Sequence, residues 1–166
     1  MILGMSTATY TLVHVVISLA GIISGFIVMY GWLSGRQLDR WTAFFLTTTV
    51  ATSVTGYGFP FEHLMPSHIV GALSLLVLAI AILARYPYRL QGAWRRTYII
   101  SAAIALYFNV FVLVVQAFQK VPALKALAPK GSEPPFLAAQ LIVLVLFIVL
   151  TAFATKRFVV PSAQAA

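Results

Sequence analysis

Residues 135–155 read PFLAAQLIVLVLFIVLTAFAT, without one charged side chain, and the basic pair Lys156 and Arg157 follows them directly. A helix rises about 1.5 Å per residue, so roughly 20 such residues cross a hydrocarbon core of about 30 Å. Similar apolar runs precede this one along the chain. Together they predict an all-α, polytopic transmembrane helix bundle with five spans, at about 10–33, 42–59, 67–84, 97–118 and 135–155.

Composition points to the same class of protein. The 166 residues are 61% hydrophobic and 8% charged, which excludes a disordered chain and argues against an ordinary water-soluble domain. We expect a single integral membrane domain over residues 1–166, in which 159–166 form a flexible tail. Because the chain has no cysteine, disulfides, thiolate metal sites and covalently attached c-type haem are excluded.

The basic residues predict an orientation. The net charge of +8 would suggest a nucleic-acid partner in a soluble domain, but these cations fall between apolar runs, so we expect a lipid bilayer and no nucleic acid. With five spans and an external N-terminus, the outside segments hold only Lys120, Lys125 and Lys130. The inside segments then hold Arg36, Arg40, Arg85, Arg89, Arg95, Arg96, Lys156 and Arg157. This bias predicts an N-out and C-in topology.

The second run and the aromatic residues bear on the span count. The second run is rich in Thr and Ser and ends at Gly56, Tyr57 and Gly58, but hydroxyls that bond back to helix carbonyls keep such a run insertable. Without it, the four-Arg segment between Arg85 and Arg96 would lie outside. Aromatic residues beside the two inside loops are expected to be interfacial anchors, namely Trp32, Trp41, Tyr86, Tyr88, Trp94 and Tyr98.

Polar and small residues recur at helical spacing in two runs. A polar side chain that faces lipid is costly, so these stripes should face the inside of the bundle. The stripe of the first run contains a GxxxG pair, which permits close helix packing. The members are His14, Ser18, Gly21 and Gly25 in the first run, and Ala102, Ala105, Asn109, Val112 and Gln116 in the fourth.

The predicted topology brings all three histidines to the outer side. The loop from Phe59 to Pro66 contains Glu62 and His63, and His68 opens the next helix. The predicted cofactor-binding residues are His14, His68, Asn109, Gln116 and Gln140, and the predicted metal ligands are Glu62, His63 and His68. For each of them a structural role, as a packing partner or a solvated loop residue, is the competing interpretation.

Three functions fit these residues. The favoured one is a non-catalytic subunit, scaffold or assembly component, which contacts a second copy or a larger membrane complex through its GxxxG stripe and apolar faces. A second is a redox or ligand-binding protein that holds a b-type haem between two imidazoles, or a quinone by hydrogen bonds, near the outer face. A third is an oligomeric small-solute pathway lined by the Thr-rich run.

Other chemistries are disfavoured. The acidic residues Asp39, Glu62 and Glu133 all fall in predicted loops, so no carboxylate lies at mid-membrane to drive a pump or an aspartyl intramembrane protease. An enzyme is therefore the less favoured interpretation. The external segment after Gln119 is either a short interfacial helix that starts at Pro122 or, as we expect, a partly ordered connector.

Two strings carry a resemblance to known proteins. They are GFPFEHLMPSH at residues 58–68 and SEPPF at residues 132–136. At these strings the chain resembles small, uncharacterised multi-pass inner-membrane proteins of bacteria, over most of its length from His14 to about Thr151. The resemblance implies a bacterial inner-membrane location and brings no activity and no catalytic residue.

Overall fold

In a computed structural model of the chain, residue 2 and residues 4–59 and 66–160 are described, and this part is all-helical, with no strand. A helix lies at each predicted apolar run, so the all-α prediction is confirmed. The six helices are α1 Thr7–Leu33, α2 Asp39–Gly56, α3 Pro66–Arg85, α4 Trp94–Lys120, α5 Pro122–Leu127 and α6 Pro134–Arg157. Four of them are long and apolar enough to cross a membrane: α1, α3 from His68, α4 and α6.

Local chemistry accounts for several helix ends. The side chain of Ser6 caps α1 by accepting the Thr9 N–H at 3.1 Å. Asp39 lies in the first turn of α2, where a carboxylate interacts favourably with the helix dipole. Pro134 lies in the first turn of α6, where the missing N–H of proline costs no hydrogen bond. Each of these helices therefore begins at a residue whose chemistry favours a helix N-terminus.

The long helices alternate in direction around α2. Contacts between α1 and α2 run from Gly31 beside Leu38 to His14 beside Thr55, so these helices are antiparallel. The α2–α3 contacts run likewise, from the Asp39–Arg85 ion pair to a hydrogen bond that Tyr57 Oη donates to the carbonyl of His68. Helices α1 and α3 therefore run in the same direction on either side of α2.

Helices α4 and α6 complete the bundle. Helix α4 packs against α1, α3 and α6. Phe118 of α4 contacts Phe136 of α6, and Arg95, at the other end, donates to the carbonyl of Phe158, so these two helices are also antiparallel. We name the end where α1, α3 and α6 begin the histidine end, because it holds His14 and His68. The opposite end, which holds Arg85 and Arg95, is the arginine end.

Close packing of α1 follows the predicted stripe. Gly21 and Gly25 are buried, and a Cβ on Gly25 would lie 2.5 Å from a methyl carbon of Leu106 and 2.9 Å from the ring of Phe45. Ala102 and Ala105 on α4 are fully buried as well. The prediction that these small residues face the bundle interior is confirmed, and it explains how α1 approaches both α2 and α4.

Two sequence expectations are wrong. Trp32 and Tyr98 are 2% and 0% exposed and contact each other edge to face at 5.5 Å, so they are core residues rather than interfacial anchors. The segment after Gln119 is helical from Pro122, as α5, rather than an irregular connector. Leu124 of α5 is half-buried, whereas Leu127 is exposed. Of the predicted tail, residues 161–166 lie outside the described part.

Candidate functional site

The side chain of His14 is held by the C-terminal turns of α2. Its Nδ1 lies 2.8 Å from Thr55 Oγ1, and the same hydroxyl lies 2.7 Å from the carbonyl of Ala51, to which it donates. A hydroxyl has one hydrogen, so a Thr55 hydroxyl that donates to Ala51 accepts from His14. This arrangement favours the tautomer with the proton on Nδ1, in which Nε2 presents a lone pair that accepts a hydrogen bond or binds a metal.

Aromatic residues surround this imidazole. The ring of Phe59 meets His14 edge to face at 5.3 Å and Tyr10 at 5.1 Å. Tyr10 is buried and donates its hydroxyl to the carbonyl of Thr55 at 2.7 Å. Tyr10 and His14 are four residues apart, so both project from one face of α1 onto the end of α2. This group, Tyr10, His14, Thr55 and Phe59, is the His14 cluster.

His68 lies at the same end of the bundle but against a different part of α2. It is buried in the first turns of α3, and its ring lies 5.7 Å from that of Tyr57. Because α2 lies between α1 and α3, its C-terminal residues separate the surroundings of the two histidines: His14 contacts Thr55, and His68 contacts Tyr57. The structure thus brings both histidines to one end of the bundle, where they contact different residues of α2.

The predicted amides are distributed over other contacts. Asn109 is buried beside Gly21, about 10 Å further along α1 than His14. The Gln140 Nε2 donates to the carbonyl of Phe111 at 3.1 Å, which ties α6 to α4. Gln116 is half-buried on α4 and forms no side-chain hydrogen bond within the described part of the chain. Asn109 and Gln140 therefore lie away from the His14 cluster, and Gln116 forms no hydrogen bond to it.

The predicted metal ligands fall partly outside the described residues. Glu62 and His63 lie in the stretch 60–65, which the structure does not describe. Within residues 4–59 and 66–160, no group of three His, Asp or Glu side chains is close enough to hold a metal ion. Of the predicted metal ligands, His68 alone lies within the described residues, where its ring is near that of Tyr57.

Four hydroxyls of α2 form hydrogen bonds within the protein. Those of Thr48, Thr52 and Thr55 donate to carbonyls one turn back in α2, and Ser53 donates to Ser74 Oγ at 3.1 Å. The buried Thr49 hydroxyl has no partner among the described residues. Hydroxyls that donate to their own helix let a polar helix lie in an apolar environment.

Comparisons with known proteins add no family: no family model, no curated protein and no solved structure matches the chain. Function must therefore be argued from the site. Sequence reasoning identified His14 but missed Thr55 and Tyr10, the residues that orient it. The spacing of Tyr10 and His14 on one helix face was the available signal.

Proposed function

We propose that the chain is an integral membrane protein with five spans, namely the four long apolar helices and α2. The N-terminus lies outside and the C-terminus inside. Helices α1 and α3 run in the same direction, so the chain must return along the bundle between them, and α2 is that return. The bias of Lys and Arg favours placing the arginine end inside. The same bias and the resemblance at residues 58–68 support a bacterial inner membrane.

Single cysteines test this topology on a chain that has none of its own. We choose three exposed positions, Ser6, Gln91 and Lys130, for separate replacement by cysteine. A membrane-impermeant maleimide added to intact cells should label the variants at 6 and 130 and spare the one at 91. If the reagent labels only one of positions 6 and 130, these positions lie on opposite sides and α2 does not cross. If it labels position 91 alone, the orientation is the reverse of the proposed one.

We propose further that the protein is a non-catalytic membrane component that contacts a partner through α6. The supporting observation is the sparse packing of this helix: 6% of its most apolar stretch is buried, against 50% for α4. Its buried residues, Gln140, Phe147 and Ala154, form one line at seven-residue spacing. The remaining surface is a broad Leu, Ile and Val face that packs equally well against acyl chains or against another helix.

A photocrosslinking amino acid at Ile142 tests this proposal. Ile142 on α6 is 67% exposed, and Leu12 on α1, which is 64% exposed near the same end of the bundle, is the matched control. We expect discrete protein adducts from position 142 and none from position 12, in native membranes. Repeating the reaction in liposomes with the purified chain identifies a second copy as partner. Lipid adducts alone at position 142, or equal protein adducts at both, would contradict the proposal.

A second candidate function, ligand binding at the His14 cluster, is favoured by one specific observation. Thr55 holds the Nδ1 proton and leaves Nε2 of His14 as an acceptor. That atom suits a hydroxyl of a quinol head, or a haem iron as a single axial ligand. A haem held by two imidazoles would also use His68, which lies at the same end of the bundle.

Spectra and quinol binding test this candidate. A reduced-minus-oxidised spectrum of protein purified from native membranes should show a haem band, or the protein should bind a quinol analogue. His14→Ala should abolish the signal. Thr55→Val, which removes the group that orients the ring, should weaken binding about tenfold. His68→Ala separates the two haem variants, because it should leave a site with His14 as single ligand intact and remove a site with two imidazoles. Binding that survives His14→Ala would eliminate this candidate.

A further inference from the structure

A cavity of about 290 Å³ opens at the arginine end, far from the His14 cluster. It lies between the loop after α3, the start of α2 and the segment after α6. A single water molecule needs only about 15 Å³ of such space, so the cavity has room for a larger polyatomic group. Its lining includes Gln37, Asp39, Arg85, Arg89, Leu90 and Val160.

The charge in this cavity is positive. Arg85 has a side chain only 9% exposed and donates to Asp39, whose side chain is 68% exposed. The guanidinium also lies 5.3 Å from the ring centroid of Tyr98 and 5.8 Å from that of Tyr86. Arg89 forms no hydrogen bond or ion pair with any described residue. The lining therefore carries two guanidinium groups and one carboxylate, which pairs with Arg85 and is itself largely exposed.

Gln37 also borders the cavity. Its Nε2 is inaccessible to solvent and has no hydrogen-bond partner among the described residues, so it does not face the cavity in this side-chain conformation. A buried donor without an acceptor is costly, so rotation of the amide towards an acceptor oxygen held in the cavity would relieve this cost.

The backbone holds Arg89 at the cavity. Arg89 and Leu90 have φ of +47° and +59°, a conformation that residues other than glycine rarely adopt. Leu90 is buried in the core, and its N–H donates to the carbonyl of Ala84 at 3.0 Å, which stabilises the turn. Burial of Leu90 thereby fixes the backbone of the adjacent Arg89 beside the cavity, while the Arg89 side chain is exposed.

We propose that this cavity binds a phosphate group through Arg85, Arg89 and Gln37. Phosphate oxygens accept hydrogen bonds and carry charge, and guanidinium groups match their geometry with paired donors. The phosphate belongs either to the headgroup of an anionic phospholipid or to a soluble phosphate compound. Exposed Tyr86 and Tyr88 beside the cavity are typical of headgroup depth.

Two variants and one control test the site. Arg89→Gln removes the unpaired charge, and Gln37→Leu removes the buried donor at similar size. Arg96→Gln removes the same charge from an exposed position that does not line the cavity. Native mass spectrometry in neutral detergent measures adducts of phosphatidylglycerol against phosphatidylcholine. Thermal unfolding measures stabilisation by inorganic phosphate against chloride at equal ionic strength, and circular dichroism confirms that each variant is folded.

We expect each cavity variant to weaken binding about tenfold and the Arg96 control to leave it within about twofold. Loss of phosphatidylglycerol adducts alone identifies a lipid headgroup, and loss of phosphate stabilisation identifies a soluble anion. Equal losses in the Arg96 control would show diffuse attraction and overturn the site. Binding of neither probe by the unmodified protein would overturn it as well.

Discussion

Substitution of Gly25 tests the close approach of α1 to its neighbours. An added Cβ would lie 2.5 Å from Leu106 Cδ1 and 2.9 Å from Phe45 Cε2, and both neighbours are fully buried. Such overpacking costs about 1–3 kcal/mol, while alanine in place of glycine in a helix returns about 1 kcal/mol. We expect Gly25→Ala to lower the free energy of unfolding by about 1 kcal/mol.

Gly56→Ala is the matched control. A Cβ at Gly56 would meet only His14 Cε1, at 3.9 Å, which is an ordinary contact. This variant should gain up to about 1 kcal/mol from helix propensity alone. The two variants should therefore differ by about 2 kcal/mol in the free energy of unfolding. Reversible unfolding in mixed detergent micelles, followed by circular dichroism, measures that difference.

A double-mutant cycle assigns the cost to its cause. Leu106→Ala alone should cost about 2–5 kcal/mol by leaving a cavity. In the double variant the alanine at 25 meets no Leu106 methyl groups, so the combined loss should fall short of the sum by about 1 kcal/mol. Strictly additive losses, or a Gly25→Ala protein as stable as Gly56→Ala, would refute the described contact.

Three further predictions concern single polar groups. Ser74→Ala should cost about 0.6 kcal/mol in the same unfolding assay, because it removes the hydrogen bond between α2 and α3 and leaves the Ser53 hydroxyl only the carbonyl of Thr49 as acceptor; no loss would mean that the bond to Ser74 contributes nothing. Asp39→Asn should cost about 1 kcal/mol and reduce the salt dependence of unfolding, since it leaves the guanidinium of Arg85 without a counter-charge; unchanged salt dependence would contradict this. The N–H groups of Lys130 and Ser132 hold the pKa of the exposed Glu133 carboxyl below its ordinary value of 4.5. A lowered folded pKa stabilises the loop above pH 4.5, and this contribution disappears as pH falls through the folded value. Amide exchange at residues 130–132 should therefore accelerate in acid in the natural protein, after correction for intrinsic rates, and not in Glu133→Gln.

The positions of the long helices could be predicted to within a few residues because their apolar runs largely determine them. The run 135–155 falls inside α6, and the errors elsewhere are a few residues. The largest shift is in α2, predicted at 42–59 and found at Asp39–Gly56. A carboxylate favours the start of a helix, and a turn at Tyr57 and Gly58 ends it, so local charge and glycine outweighed the apolar pattern.

The helix faces that pack inside the bundle could be predicted where small residues repeat, because small side chains allow two helices to approach closely. These residues are Gly21, Gly25, Ala102 and Ala105. The position of Trp32 could not be predicted. Its place in the chain near a predicted inside loop suggested that it lies at the membrane interface. In the structure its ring contacts that of Tyr98, which in turn contacts Phe158. Proximity to a loop does not determine whether an aromatic side chain points outward.

The candidate site was predictable only in part. Charge bias and helix count brought His14 and His68 to one end, and the structure places them there. The side chains that contact each histidine depend on the rotation and axial register of each helix, and residue type does not specify these. Thr55 binds His14 because α1 and α2 meet at that register, and Asn109 lies about 10 Å away from His14 along α1 for the same reason.

Some buried polar atoms of this protein are hydrogen-bonded to the protein itself, and others have no partner among the described residues. The hydroxyls of Thr48, Thr52 and Thr55 on α2 are bonded to their own helix, so the most polar helix lies inside the bundle at little cost. The amide nitrogens of Gln37 and Asn109 have no partner among the described residues.

These two nitrogens differ in the space beside them. At Asn109 a Cβ added to Gly21 would already lie 3.3 Å from two threonine hydroxyls, so there is no room for a ligand. Gln37 borders an open cavity that also holds two arginines. A donor that is costly to bury and adjoins open, positively charged space is explained by an anion rather than by helix packing. Substitution at Gln37, rather than at Asn109, therefore reports on ligand chemistry.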